Sequence, residues 1–226
     1  MTFAILKLSY NTPGETPVIG GVCGTGFFIS DSTALTAFHV LSEQNWGPNP
    51  GNAYCQYWAI LRSGQIIPIK KEFLKGYSQI DTTLITFGSK HEIPHVVLLA
   101  DKNASPMDMV CGEGHVGGAM PQLQTSWVGS ELLIATANLS NVISDGVGHI
   151  KRELKAEVNA ADLKLKGTNV YELSFQTRCG MSGGPLFDKT NGKLVGILSF
   201  GLPENAEIKL QSFAVSLSEL RKYLLI

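Results

Sequence analysis

The chain has 226 residues, of which 44% are hydrophobic, enough for a sizeable core in one sandwich domain or in two small barrels. Its 18 basic and 19 acidic side chains leave a formal charge of −1, which argues against a basic surface for nucleic acid and an acidic tail for a basic partner. No apolar stretch reaches the length that spans a membrane. We therefore expect neither nucleic acid nor a membrane as a partner.

The first ten residues, Met1 to Tyr10, lack the basic segment, long apolar core and cleavage site of a secretory signal, and they favour a strand. Four cysteines are scattered along the chain. They could form two disulfides in a secreted protein, but nothing in the sequence points to export, so we expect free thiols and a cytoplasmic location. These cysteines are Cys23, Cys55, Cys111 and Cys179.

The first half of the chain is predicted to be β structure. Short apolar runs from Phe3 to Tyr10 and from Val22 to Ser30 are typical of paired strands. Tyr54 to Leu61 and Gln65 to Lys70 alternate enough to predict a hairpin, with a turn at Arg62-Ser63-Gly64. These segments are the expected strands of a first barrel.

Two polar residues of this half stand out as candidates for chemistry. His39 lies in Phe38-His39-Val40-Leu41, which is predicted to form one helical turn at the rim of the barrel. Asp81 comes directly before the apolar run that starts at Leu84, so its carboxylate is expected at the entrance of a strand. Taken alone, His39 could be a buried core histidine and Asp81 a turn aspartate.

His91-Glu92-Ile93-Pro94-His95 matches the pattern in which two histidines on one helix face bind zinc. Pro94 argues against that interpretation, because proline inside a helix removes a hydrogen bond and favours extended geometry at the residue before it. We expect no metal site there and no cofactor in the protein. The segment is interpreted as part of the link between two barrels.

The second half also favours strands, from Leu132 to Leu139, Ile150 to Val158 and Val170 to Phe175. Ser212 to Val215 is the expected closing strand, and a short helix is predicted to follow it through Leu225.

The segment from Arg178 to Phe187 places one serine, Ser182, among three glycines between two strand-like runs. A serine hydroxyl needs a base to become a nucleophile, and the oxyanion that it creates needs nearby backbone N–H groups. Glycine allows tight turns and close approach of the backbone to a ligand. A plain glycine-rich turn is the alternative interpretation.

Three segments together resemble the signature segments of the chymotrypsin/trypsin superfamily, in its chain order of histidine, aspartate and serine. His39 and Asp81 are 42 residues apart, and Asp81 and Ser182 are 101 apart. Gly24 to Ser30 is similar to the strand that precedes the histidine in bacterial trypsin-like peptidases. The segments are Leu35 to Val40, Ile80 to Ile85 and Gly180 to Pro185.

This resemblance implies an all-β fold of two packed six-stranded Greek-key β-barrels with a short C-terminal helix. Residues 1–99 would form the barrel that carries the histidine and aspartate. Residues 100–226 would form the barrel that carries the serine, followed by the helix.

The resemblance also implies a serine endopeptidase acting on a protein or peptide, through an acyl-enzyme. His39 would take the proton of Ser182, Asp81 would orient the histidine ring, and the N–H groups of Gly180 and Ser182 would bind the oxyanion. We expect a specific intracellular protein as the substrate and leave open a regulatory partner protein.

Substrate-binding residues follow from the same resemblance. Gln176 and Thr177 would form the base and wall of the primary specificity pocket, and Ser199-Phe200-Gly201 would pair with the substrate backbone. None of these is charged, so a neutral residue is expected on the acyl side of the cut. Thr177 resembles the threonine that binds Glu or Gln in glutamyl endopeptidases and viral proteases, although the histidine that usually assists it is absent from Gly196 to Gly201.

Two other classes remain open at this point. A trypsin-like protein can serve as a catalytically silent binding module, and the same triad can act as an esterase.

Val18-Ile19-Gly20-Gly21 looks like the new N-terminus of an activated trypsin, but it lies too close to Gly24. Met181 also stands where trypsins place the aspartate that receives the freed amine. Activation by cleavage is therefore not expected.

Overall fold

The structure, a computed structural model, describes residues 2–42, 54–88, 96–117, 122–138, 143–160, 163–202 and 211–224. Two units of β structure and one short helix make up this part of the chain. The expected all-β fold of two curled sheets with a helix near the C-terminus is confirmed. The segment from His91 to His95, which matches the zinc pattern but is expected to hold no metal, lies outside the described residues.

Seven strands form the first unit, in the order β5-β4-β1-β2-β3-β7-β6, with every neighbouring pair antiparallel. Phe3 and Ile5 point to one face, which packs inside the curled sheet. Leu6 and Leu8 alternate with them and point to the other face. The strands are β1 (Thr2–Tyr10), β2 (Val18–Phe28), β3 (Thr33–Thr36), β4 (Tyr54–Leu61), β5 (Ile66–Ile69), β6 (Leu74–Tyr77) and β7 (Thr82–Thr86).

The first unit has seven strands instead of the six expected, because the 3₁₀ turn Lys71–Phe73 interrupts one extended segment and divides it into β5 and β6. β5 and β6 lie at opposite edges of the sheet but are separated only by the 3₁₀ turn Lys71–Phe73. The five peptide links from Ile69 to Leu74, of about 3.5 Å each, cannot span a flat sheet of seven strands. The sheet must therefore curl until its two edges come close, as in a barrel.

The second unit is a closed barrel of six strands, in the order β11-β12-β15-β14-β13-β8. A hairpin, β9 and β10, stands outside this barrel, and the helix follows the last strand. These elements are β8 (Met109–His115), β9 (Gln122–Val128), β10 (Glu131–Asn138), β11 (Ile143–Asn159), β12 (Lys164–Leu173), β13 (Pro185–Asp188), β14 (Leu194–Leu202), β15 (Gln211–Ser216) and α1 (Leu217–Leu224).

The β9–β10 hairpin belongs to the second half of the chain but packs on the outer face of the first sheet. Leu132 is fully buried there in an apolar cluster with Leu6, Leu8 and Trp58. Trp127 packs edge-on against Tyr10 and donates a hydrogen bond from its indole N–H to a backbone carbonyl before β2. The hairpin thus ties the two units together at the outer face of the first sheet.

Residues 96–100 tie the units together a second time. The backbone N–H of Val97 bonds to Phe28 in the first unit, and Leu99 and Ala100 pair with Leu194 in the second. The domain boundary expected between residues 99 and 100 stays a prediction. In the described part of the chain, no helix is long and apolar enough to cross a membrane.

His115 is buried where β8 packs against β1 and β2, with 4% of its surface exposed. Among the described residues its Nε2 atom has no hydrogen-bond partner. Burial, followed by the nearby Arg62 guanidinium, lowers the pKa of His115 from its ordinary value of 6.5 to about 4. The folded protein therefore holds this ring neutral.

We predict that His115 makes the folded state less stable as the pH falls from 6.5 towards 4. In that window the unfolded chain binds a proton at this ring and the folded chain does not, so the free energy of unfolding decreases with falling pH by about 3 kcal/mol. Glu113 opposes this slope, because burial and Asp145 raise its pKa. Urea unfolding across this range should show a flatter dependence for His115→Gln, and parallel profiles would contradict the prediction.

Candidate active site

His39 lies in the 3₁₀ turn Phe38–Val40. This turn begins directly after Ala37, which is still extended and follows the end of β3. Its backbone N–H donates to Oδ1 of Asp81 at 3.0 Å, and its ring Nδ1 lies 3.0 Å from each oxygen of the same carboxylate. Because a carboxylate only accepts, Nδ1 carries the proton in the neutral ring. Nε2 is therefore the nitrogen that can act as a base.

Asp81 is fully buried and adopts the left-handed conformation, with φ at 44°, directly after the 3₁₀ turn Ser78–Ile80. Aspartate is one of the few residues with a side chain that adopt this conformation at modest cost. The hydroxyl of Ser199 donates to Oδ2 of Asp81 from the other unit. The Ser199 hydroxyl is thus the third hydrogen-bond donor to this carboxylate, after the backbone N–H and the ring of His39.

Ser182 lies on the loop between β12 and β13 and is half-buried. Its hydroxyl donates to the backbone carbonyl of Ser199 at 3.0 Å. Since a hydroxyl has one proton, Ser182 can donate to no other group while this bond is made. The same residue, Ser199, thus contacts Asp81 through its side chain and Ser182 through its carbonyl.

Gly183 brings this loop against the strand that leads to His39. Its φ is +86°, and a Cβ there would lie 2.6 Å from the backbone nitrogen of Ala37, two residues before His39. Neither the dihedral angle nor the space permits a side chain. The backbone carbonyl of Ser182 also accepts a hydrogen bond from the N–H of Thr25 at 2.8 Å.

The peptide group between Cys179 and Gly180 has a fixed orientation. The carbonyl of Cys179 accepts a 2.5 Å hydrogen bond from Gly117, and the N–H of a trans peptide points the opposite way. Gly180 has φ at +88°, and its carbonyl accepts from the Thr25 hydroxyl at 2.7 Å. Among the described residues, no acceptor receives a bond from the N–H of Gly180 or Ser182.

Thr25 is a residue that the sequence did not single out. Its fully buried hydroxyl donates to Gly180 and accepts from the N–H of His115 at 2.8 Å, so it joins the serine loop to β8. Its backbone carbonyl accepts from the Thr36 hydroxyl at 2.7 Å. No sequence signal could identify this role, because all of these partners except Thr36 lie about 90 residues or more away.

Of the residues expected to bind substrate, Ser199 contacts Ser182, and Thr177 lies beside Gly201. Thr177 donates to the buried Ser212 hydroxyl from its N–H at 2.8 Å and from its own hydroxyl at 3.0 Å, and Gly201 lies beside it. Phe200 is stacked on Phe213, with ring centroids 4.8 Å apart. Gln176 is exposed, whereas Ser199 is buried, with 3% of its surface exposed, and its hydroxyl is bonded to Asp81.

Val18 to Gly21 lie inside β2, where Val18 and Ile19 pair with β1. Met181 is fully buried, and its thioether accepts from the N–H of Arg178 at 3.3 Å. An uncharged side chain therefore fills the position next to Ser182. In the described part of the chain, no three His, Cys, Asp or Glu side chains gather in a way that could hold a metal ion.

We predict that Thr25→Val destabilises the fold by about 2 kcal/mol, because the isosteric change leaves the carbonyl of Gly180 and the N–H of His115 buried without partners. Thr25→Ser should retain most of the stability, since it keeps the hydroxyl. Urea unfolding measures both, with Thr86→Val on the exposed surface as the control. Equal stability of the valine and serine variants would be inconsistent with the two hydrogen bonds.

The sequence profile of the trypsin-like peptidase domain family matches residues 24–197. Solved structures of the same fold include the Rv3671c protease of M. tuberculosis in its active form, with 18% identity, a TM-score of 0.59 and coverage of 98% of this chain and 79% of that one. Its inactive form is 17% identical, with a TM-score of 0.59, and the match covers 98% of this chain and 87% of that one.

A third structure is that of the HtrA-type protease AlgW with a decapeptide, at 14% identity and a TM-score of 0.64, covering 99% of this chain and 62% of that one. No curated protein sequence gives a significant match. At these identities the structures show the fold, and the profile shows the family. Because that profile covers most of its length, the chain belongs to the trypsin-like peptidase domain family.

Proposed function

We propose that the protein is a serine endopeptidase that cleaves a peptide through an acyl-enzyme, with His39, Asp81 and Ser182 as its catalytic residues. One observation carries the proposal: a fully buried carboxylate binds Nδ1 of a histidine whose other ring nitrogen can act as a base, and Ser199 bonds to both that carboxylate and the Ser182 hydroxyl. Family membership supports the same reaction class.

In the first step, Ser182 Oγ forms a bond to the carbonyl carbon of the scissile peptide while its proton passes to Nε2 of His39. Asp81 stabilises the imidazolium that results. The bond between this carbon and the leaving nitrogen then breaks, and His39 returns the proton to the amine. Water repeats the sequence on the ester and releases the acid, with the serine restored.

The developing oxyanion would bind to the N–H groups of Gly180 and Ser182. Support comes from the bond between Gly117 and the carbonyl of Cys179, which turns the N–H of Gly180 away from β8. Fixed donors of this kind are worth about 3 kcal/mol each in the transition state, because they need no reorganisation.

An extended peptide is the substrate that fits the edge of β14. β13 pairs with β14 only from Leu194 to Ile197, so the later part of β14, around Phe200 and Gly201, has no strand on the β13 side among the described residues. We propose that a peptide strand pairs with the backbone there. That the HtrA-type neighbour was solved with a decapeptide supports a peptide as the ligand class.

Gln176, Thr177 and Ser212, the described residues proposed to line the specificity pocket, are uncharged. Thr177 and Ser212 share one hydrogen bond between hydroxyls, and Ser212 accepts a second from the backbone, so one hydroxyl proton remains for a further acceptor. A neutral side chain is therefore the proposed residue on the acyl side of the cut, with Gln176 at the exposed rim instead of the buried base. A peptide library tests this preference and separates a peptidase from an esterase.

A cytoplasmic location and a regulatory partner belong to the same proposal. The four cysteines are thiols in the structure, and Cys179, next to Gly180, is exposed. The pairing of Val18 with β1 and the burial of Met181 both support activity without cleavage before Val18.

We predict that Ser182→Ala lowers kcat by on the order of a millionfold, because the hydroxyl is the nucleophile, while the small loop accepts a methyl group without unfolding. Peptide hydrolysis and labelling by a fluorophosphonate are measured together, and circular dichroism checks the fold. Ser126→Ala, which removes an exposed hydroxyl in β9, should remain fully active. Residual activity of more than a few per cent in Ser182→Ala would disprove the assignment.

We predict that Asp81→Asn lowers kcat by around 10⁴-fold, since an amide that donates to Nδ1 favours the wrong tautomer of His39. The exposed Asp145→Asn serves as the matched control and should hydrolyse the peptide normally. Both rates are compared at equal folded fractions, determined by thermal unfolding. A nearly normal rate for Asp81→Asn would mean that another acid orients the ring.

A further inference from the structure

A cavity of about 300 Å³ opens beside the turn that carries His39, at the end of the first sheet. It lies at the lower end of the range for ligand sites in proteins. None of the residues proposed to act in catalysis lines it. Its lining consists of three apolar side chains, Phe38, Leu41 and Leu74, the backbone of Gly76, and three polar side chains, Lys71, Ser78 and Thr83.

Thr83 is the unusual member of this lining. It is 1% exposed, and its hydroxyl has no hydrogen-bond partner among the described residues. It shares a face of β7 with Ile85, which packs with Leu41 in the apolar cluster of the first sheet. A hydroxyl buried without a partner destabilises a fold, so its presence here indicates a group that the cavity receives.

The remaining polar groups of the cavity are donors as well. Lys71 contributes an ammonium group, and neither an ion pair nor a hydrogen bond engages it in the described part of the chain. Ser78 contributes a half-buried hydroxyl. No acidic side chain is among the described residues that line the cavity. Two hydroxyls and a cation form a set that suits a carboxylate, which only accepts hydrogen bonds.

We propose that this cavity binds a carboxylate carried on a short apolar body. The carboxylate would receive bonds from Thr83, Ser78 and Lys71, and the apolar body would lie against Phe38 and the two leucines. Two sources share this chemistry: a free short-chain carboxylic acid, and the C-terminal residue of a peptide that ends in an apolar side chain.

The cavity is connected to the active site through Phe38, the residue directly before His39. Its ring lies on Gly76 so closely that a Cβ there would sit 2.5 Å from Cε2 of the ring. A ligand against this ring therefore contacts the turn that positions His39. Any effect on catalysis rests on the proposed function, whereas binding to the cavity does not.

The test measures binding to Ser182→Ala by calorimetry, so that it is independent of hydrolysis. Hexanoate and N-acetyl-leucine represent the free acid and the peptide C-terminus, and their neutral amides are the matched controls. We expect a dissociation constant of about a millimolar for at least one of the two acids and much weaker binding of both amides. The acid that binds more tightly identifies the source.

Two variants locate the site. Lys71→Gln and Thr83→Val should each weaken acid binding by about tenfold, because each removes one donor to a charged group. Lys70→Gln and Thr86→Val, which remove an exposed lysine and hydroxyl that do not line this cavity, should leave binding unchanged.

Amide resonances of Phe38, Gly76 and Thr83 should shift on saturation with the acid. Equal affinity for acids and amides, or full affinity in Thr83→Val, would overturn the proposal. If neither acid binds saturably, the proposal is equally rejected, and an ordered water is then the only partner of Thr83. None of these outcomes bears on whether Ser182 is a nucleophile, which the hydrolysis assays decide.

Discussion

The buried carboxylate of Asp81 is the constraint on which the rest of the site depends. A carboxylate taken out of water without partners would destabilise the fold by several kcal/mol, so its oxygens must be satisfied by groups of fixed position. Two of these groups belong to His39 in the first unit and one to Ser199 in the second. The interface between the units is thereby fixed at the point where the chemistry is proposed.

The serine loop is positioned by the first unit as much as by its own barrel. Thr25, in β2, bonds to Ser182 through its backbone and to Gly180 through its hydroxyl, and Gly183 packs against the backbone of Ala37. A side chain at Gly183 would separate the loop from the turn that holds His39. The requirement for glycine there thus follows from the approach of two backbones, a contact between residues almost 150 positions apart.

Local patterns in the sequence predicted the elements whose partners are close along the chain. The hairpin of β4 and β5 has its turn at Arg62 to Gly64, as expected from alternation and turn residues. By contrast, β9 was not predicted, since only three of its residues, Leu123, Trp127 and Val128, are apolar and its apolar partners lie in the first sheet. Likewise, the hydrogen bonds of Ser212 and of the Ser199 hydroxyl depend on long-range packing. For His39, Asp81 and Ser182, the segments around them were informative enough to single them out.

The loop that carries Ser182, which is proposed to bind the oxyanion, is ordered by hydrogen bonds within the folded chain. Trypsins hold this loop with an aspartate that pairs with a freed N-terminal amine, and Met181 at that position can accept no such ion pair. Here the thioether of Met181 accepts from Arg178, Gly117 binds the carbonyl of Cys179, and Thr25 binds that of Gly180. The first of these bonds lies within the loop, the second comes from the residues after β8 in the same unit, and the third comes from the first unit. Together they leave the N–H groups of Gly180 and Ser182 available for a ligand. Because none of them involves a liberated amine, the loop can be ordered by the folding of the two units themselves.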